Sequence, residues 1–159
     1  MKIGTKGRYA VMAMIDMAKF GVAGKPVSLS EIASRQEIAL SYLEQLFCKL
    51  RRAGLVTSVR GVFGGYSLSR PVQAISVADI VEAAEESIRF TRCHSNKDMV
   101  CMFYNTQCLS HHLWDALGNQ MLIYLQGISL KDVLDKKIWD RHSDLPTMSH
   151  DAIFKEAHQ

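Results

Sequence analysis

Three cysteines and a histidine are gathered between Arg92 and His112 of this 159-residue chain: Cys93, Cys101, Cys108 and, three residues on, His111. Seven residues separate the first two thiols and six the next two, and Asn96, Lys97, Asp98, Asn105 and Gln107 make those intervals polar. That composition predicts an exposed irregular loop. Cys108 and His111 differ, because they open an apolar-periodic run through Leu109, Leu113, Leu117, Met121 and Leu125. At i and i+3 they share one face of a helix, about a turn apart. Three soft thiolates and an imidazole form a four-coordinate donor set that zinc and iron-sulfur clusters both accept. The plainer alternative is inert thiols buried as small hydrophobes, but three of them in so polar a stretch are hard to place in a core. A solvated histidine at a helix start is the plain alternative for His111, with His94 and His112 close by. Cys48 lies in a dense helical pattern far upstream and reads as a packed thiol.

The compartment bears on this chemistry. The charged start, Met1 to Tyr9, is followed by no apolar run long enough for secretion, and no stretch approaches a membrane-spanning length. The expectation is a soluble, cytoplasmic protein with no membrane partner, where clustered thiols serve as ligands or redox switches rather than structural disulfides. A content of 48 % hydrophobic residues is enough for one sizeable core, or for a small domain with an association element. Charge is divided unevenly. Residues 1–71 hold 11 Lys/Arg against 4 Asp/Glu, leaving 8 against 12 for the remainder of the 19 and 16 in the chain. The basic half is the one to search for nucleic-acid chemistry.

In that half, Ala10, Val11, Met14, Ile15, Met17 and Ala18 form a helical stripe after the basic start Lys6-Gly7-Arg8, ending near Gly21 and Gly24. Ser28-Leu29-Ser30-Glu31 matches a capping box opening a second helix to Arg35. Gln36 to Ala39 is short enough for a tight turn. A third helix, about Leu40 to Ala53, buries Leu43, Leu46, Phe47 and Leu50, with Gly54 suited to its C′ position. Two short helices joined by a turn are a helix-turn-helix signature. On the second of them Ser41, Tyr42, Glu44 and Gln45 fall where a recognition helix shows side chains to base edges, and Lys49, Arg51 and Arg52 would suit phosphates. A solvated amphipathic helix fits this segment equally well.

The following segment decides between them. Leu55 to Arg60 and Tyr66 to Arg70 read as strands around the glycine-rich turn Gly61-Val62-Phe63-Gly64-Gly65. A hairpin directly after a helix-turn-helix is the winged-helix arrangement, and it places Arg60 at the wing tip, suited to a narrow minor groove. The glycines do not form a phosphate cradle, since a strand follows rather than Lys-Ser/Thr and a helix. Val77 to Ala84 reads as a further helix leading to the acidic trio Glu82, Glu85 and Glu86. No nucleophile or pocket motif accompanies those carboxylates, so an enzyme is not predicted. The long helix from Leu109 to about Leu125 carries an apolar stripe too rich for so small a chain to bury alone, a dimer interface by pattern. A short capped helix follows from Ser129 to Leu134, and from Asp140 the composition turns polar.

Lys6-Gly7-Arg8-Tyr9-Ala10-Val11, Ser41 through Phe47, Gly54-Leu55-Val56 with Val59-Arg60-Gly61, the Gly64-Gly65-Tyr66 wing and Cys108-Leu109-Ser110-His111 together resemble the bacterial iron-sulfur cluster regulators of the IscR type. The resemblance covers about residues 1–138. It implies a homodimeric transcription factor that binds a double-stranded DNA operator, with Cys93, Cys101, Cys108 and His111 holding a 2Fe-2S cluster, or 4Fe-4S as the other nuclearity. By position Ser41, Tyr42, Glu44 and Gln45 match the recognition residues and Arg60 the wing arginine. Three local departures stand out: a longer cysteine loop, Val62 and Phe63 where the family's wing carries Pro and Gly, and Ala39 in place of a serine at the recognition-helix start.

The predicted fold class is mainly α with a small β-wing, a winged helix-turn-helix plus a long dimerisation helix. It divides into a DNA-binding domain over residues 1–72, a cluster-binding loop and dimerisation helix over 73–138, and a polar tail over 139–159. The predicted function is control of iron-sulfur assembly or iron-homeostasis genes by a regulator that senses cluster status. The rival reading is a winged-helix repressor with a structural zinc site or a thiol-disulfide switch in the same loop.

Overall fold

The computed structural model describes residues 4–21, 25–61, 64–84 and 107–138. Val62 and Phe63 of the wing turn, Cys93 and Cys101, Glu85 and Glu86, and the tail 139–159 lie outside the described residues. Helix α1 (Thr5–Phe20) buries Ala10, Ala13, Met14 and Met17 at helical spacing, and stops where the Gly21 N–H reaches Met17 O at 2.8 Å. Asp16 lies on the same buried face. Helix α2 (Leu29–Gln36) meets it there: Arg35 donates Nη2 to Oδ1 at 2.7 Å and Nε to Oδ2 at 3.0 Å, and Gln36 Nε2 donates to Oδ2 at 2.8 Å. The fork-on-carboxylate pairing satisfies a charge that would otherwise be strongly disfavoured in the core, and it holds Arg35 above the usual guanidinium range.

The capping box at the start of α2 forms as the sequence predicts. Ser28 Oγ accepts from the Glu31 N–H at 3.3 Å, and Glu31 Oε2 accepts from the Ser28 N–H at 3.0 Å. The Ser28 N–H and then the Ser28 hydroxyl, which also donates to Oε2 at 3.0 Å, hold the Glu31 carboxyl below its usual value. Helix α3 (Leu40–Arg52) buries Leu43, Leu46, Phe47 and Leu50, its N-cap Ala39 supplies no side-chain bond, and Gly54 follows at φ 70°, where a Cβ would be strained.

Strands β1 (Val56–Val59) and β2 (Gly65–Leu68) pair antiparallel in the register Val56↔Leu68 to Val59↔Gly65. Tyr66 turns its other edge to Val27, exchanging backbone hydrogen bonds of 2.9 and 2.8 Å. The approach needs glycine at position 65, because a Cβ there would meet Val27 O at 2.4 Å. The wing is thus pinned to the segment entering α2, and the Tyr66 ring packs edge-on against Phe47, 5.0 Å away.

A single 3-10 turn (Val72–Ala74) leads to α4 (Val77–Ala84), which buries Val77, Ala78, Ile80, Val81 and Ala84. Ile75, Ile80 and Ala84 share one core with Met14, Met17, Ile32, Phe47 and Leu50. Helix α5 (His111–Gln126) starts two residues later than its apolar pattern predicts. After it, an antiparallel bridge between Ser76 and Ser129 brings α6 (Leu130–Leu134) beside the start of α4, and Leu130 enters the main core. Ser76 with Asp79 and Ser129 with Asp132 form matching caps on the two helices. The architecture is mainly helical with a two-stranded antiparallel wing. No helix among the described residues is long and apolar enough to cross a membrane.

Candidate functional site

Two groups of side chains carry chemistry, one on α3 and the adjoining wing, the other at the start of α5. The first is the outward face of α3. Packing of Leu43, Leu46, Phe47 and Leu50 fixes the helix against α1 and α4, which leaves Ser41, Glu44, Gln45, Arg51 and Arg52 exposed. Tyr42 stands partly inward, its ring edge-on to Tyr9 of α1 at 5.7 Å, so α1 braces the first turn of α3. Lys49 departs from expectation: its Nζ donates to the carbonyl of Ala84, the last residue of α4, at 3.1 Å. An ammonium held by a backbone carbonyl ties α3 to α4 rather than standing ready for phosphate. Arg60 is exposed directly after β1, beside Gly61 at φ 128°. Polar side chains on one helix face and a guanidinium on the adjoining hairpin are suited to base edges and to a groove, respectively.

The second group lies at the start of α5. The His111 N–H donates to Cys108 O at 2.9 Å, closing a turn that leads into α5; Cys108 lies three residues ahead of His111 and outside the helix, not on its face as the spacing predicts. His111 is buried and Cys108 half-buried, with Cys108 Sγ and Ser110 Oγ 3.7 Å apart. Ser110 precedes the helix and accepts the Trp114 indole N–H at 3.0 Å. A thiol and an imidazole presented together are the donor types that an iron-sulfur or zinc site uses, so the described half of the predicted ligand set fits such a group. The other half, Cys93 and Cys101, lies outside the described residues, and the described residues alone bring together no set of three metal-type side chains. Cys48 is half-buried on α3.

Apart from His111, every residue of α5 is exposed or half-buried. Leu113 and Ile123 are 61 % and 58 % accessible, with Trp114 and Tyr124 also open, while Leu117, Met121, Leu122 and Leu125 are half-buried. Leu125 packs on a small cluster of Val77, Val81 and Ile128. The predicted stripe is therefore split between a face turned to the chain and a face turned away from it. The Asp16–Arg35–Gln36 cluster went unforeseen in the sequence, and its one signal was a carboxylate between Ile15 and Met17 in an apolar run.

Residues 3–136 match the Rrf2 family, described as iron-dependent transcriptional regulators. Among curated relatives, the HTH-type transcriptional regulator IscR of Aliivibrio salmonicida is 48 % identical over 134 residues, covering 84 % of this chain and 77 % of that one. Among solved structures, T. potens IscR superposes with a TM-score of 0.68 at 37 % identity, over 86 % of this chain and 88 % of that one. CymR, the global cysteine regulator of B. subtilis, does so with a TM-score of 0.70 at 34 % identity, over 86 % and 98 %.

Proposed function

The chain belongs to the Rrf2 family of transcriptional regulators, DNA-binding proteins rather than enzymes, and from that premise we propose that it senses iron-sulfur cluster status through Cys93, Cys101, Cys108 and His111. The observation that carries this reading is the joining of Cys108 and His111 on one turn at the start of α5. The likeness to IscR proteins supports it. In this reading residues 1–72 read DNA, residues 73–138 hold the cluster and join two protomers through the exposed face of α5, and 139–159 form a tail.

Each residue has a role set by its chemistry. Ser41, Tyr42 and Gln45 offer hydrogen bonds to base edges, and Glu44 accepts from cytosine N4 while disfavouring other edges. Arg60 enters the minor groove, and Arg51 and Arg52 engage phosphates. The three thiolates and His111 hold a cluster, 2Fe-2S by resemblance. When bound, that group would supply an iron centre whose presence follows the supply of iron and sulfide. Histidine in place of a fourth thiolate leaves the site less negative and more easily emptied, which suits a sensor. In sequence Cys93 and Cys101 lie between α4 and α5, and Lys49 ties α4 to α3. Occupancy biases DNA affinity to the extent that the two arrangements of these helices hold the cluster differently.

Visible absorption of protein purified without oxygen, with iron and sulfide measured on the same sample, tests this. Charge-transfer bands with near-stoichiometric sulfide are expected, and Cys108→Ala should abolish them. A colourless zinc protein would overturn cluster sensing and leave the DNA-binding half standing. A thiol-disulfide switch is the second reading, favoured by the structural likeness to a cysteine regulator and by the half-buried Cys108 thiol. It predicts oxidant-dependent DNA binding without metal.

A further inference from the structure

The geometry points to Asp115 as the residue that positions His111 for the cluster, by accepting the hydrogen of its second ring nitrogen. Three observations meet here. His111, Asp115, Gly118, Leu122 and Leu125 recur at helical spacing along the less exposed face of α5, so the carboxylate stands one turn beyond the histidine on the same side. At i and i+4 the Cβ atoms of such a pair lie about 6 Å apart, within reach of a side-chain hydrogen bond. The Asp115 Oδ1 atom is cut off from solvent and meets no donor among the described residues. A buried carboxylate oxygen without a donor is costly and rare, and its persistence on that face calls for a donor in another state of the protein.

A histidine bound through one nitrogen to a metal centre presents its other N–H on the far side of the ring. Such ligands nearly always give that hydrogen to a carboxylate or carbonyl, which fixes the ring's tautomer and orientation and raises the ligand's basicity. Asp115 has the right type and place. The inference rests on the cluster reading above and adds to it a residue outside the ligand set, acting through His111 and not touching iron.

The test compares the reconstituted full chain with Asp115→Asn and Asp115→Ala, following decay of the visible bands under a ferrous chelator. Both variants should load and then lose their cluster about tenfold faster or more, in line with the effect of removing such partners. In the reduced state, the nitrogen hyperfine coupling of ¹⁵N-histidine-labelled protein should change, which a purely structural role would not produce. The cluster-free Asp115→Asn variant should melt no lower than the parent, since it keeps the size of the side chain and Oδ1 has no donor among the described residues to lose. Equal decay rates and an unaltered hyperfine coupling in a loaded parent and both variants would overturn the role of Asp115 while leaving the cluster reading intact. A parent that binds no iron and sulfide would overturn both.

Discussion

Helices α3 and α5 are built from similar residues to opposite ends. Both are long, at 13 and 16 residues, and both carry a leucine-rich stripe. In α3 the stripe is sealed: Leu43, Leu46, Phe47 and Leu50 are buried, and every exposed position of the helix but Leu40 is polar or charged. In α5 only His111 is fully buried, and Leu113, Ile123, Trp114 and Tyr124 face outward. A helix whose apolar face is satisfied within its own chain is free to use its polar face on a partner such as DNA. One whose apolar face is half open is incomplete alone, and a second copy of the chain is the simplest way to cover it. The contrast fits the proposed reading, in which α3 reads DNA while α5 holds a ligand and joins protomers.

The largest effect should come from breaking the sealed side. Phe47→Ala removes a fully buried ring that also packs on Tyr66 of the wing, and should cost about 4 kcal/mol in urea denaturation. A cost near zero would mean that the core under α3 is loose. Next, Arg35→Ala strands the Asp16 carboxylate, whose side chain is completely buried. It should cost about 3 kcal/mol, toward the lower end for such pairs because the guanidinium keeps some access to water.

A smaller change is expected from Ser28→Ala, which removes the cap of α2 and should cost about 1 kcal/mol by thermal or chemical melting. Its pH dependence has a definite sign. The Glu31 carboxyl sits below its usual 4.5 in the folded chain, so its contribution is complete above that value and is lost as pH falls through the lowered one. The variant should therefore lose less stability on acidification than the parent. The smallest effect on the isolated chain should come from the open side. Leu113→Glu with Ile123→Glu should leave protomer stability within about 0.5 kcal/mol, yet shift sedimentation from dimer to monomer. A variant that stays dimeric would place the interface elsewhere.

Much of the fold was legible because its signals are local. The capping box at Ser28, the stripe of α3, Gly54 behind it and the wing hairpin all depend on neighbours a few residues apart. The Cys108–His111 turn was legible for the same reason. Contacts between distant segments were not. Nothing near Lys49 in sequence announces that its partner is the carbonyl of Ala84, and nothing near Val27 announces Tyr66. Asp16 looked like an interruption of an apolar run because its partners lie on the next helix. The stripe of α5 was read as one face, whereas α4 and Ile128 take up part of it and leave the rest outward.

The most direct test of the account is the affinity of one operator duplex, selected from random sequence by the loaded protein, for the loaded and cluster-free forms at the same salt concentration. If the start of α5 reports to α3, the two affinities should differ about fivefold or more, with the same salt dependence because the phosphate contacts are shared. Equal affinities on that duplex would contradict the central claim, leaving a DNA-binding protein whose Cys93, Cys101, Cys108 and His111 do not govern its binding.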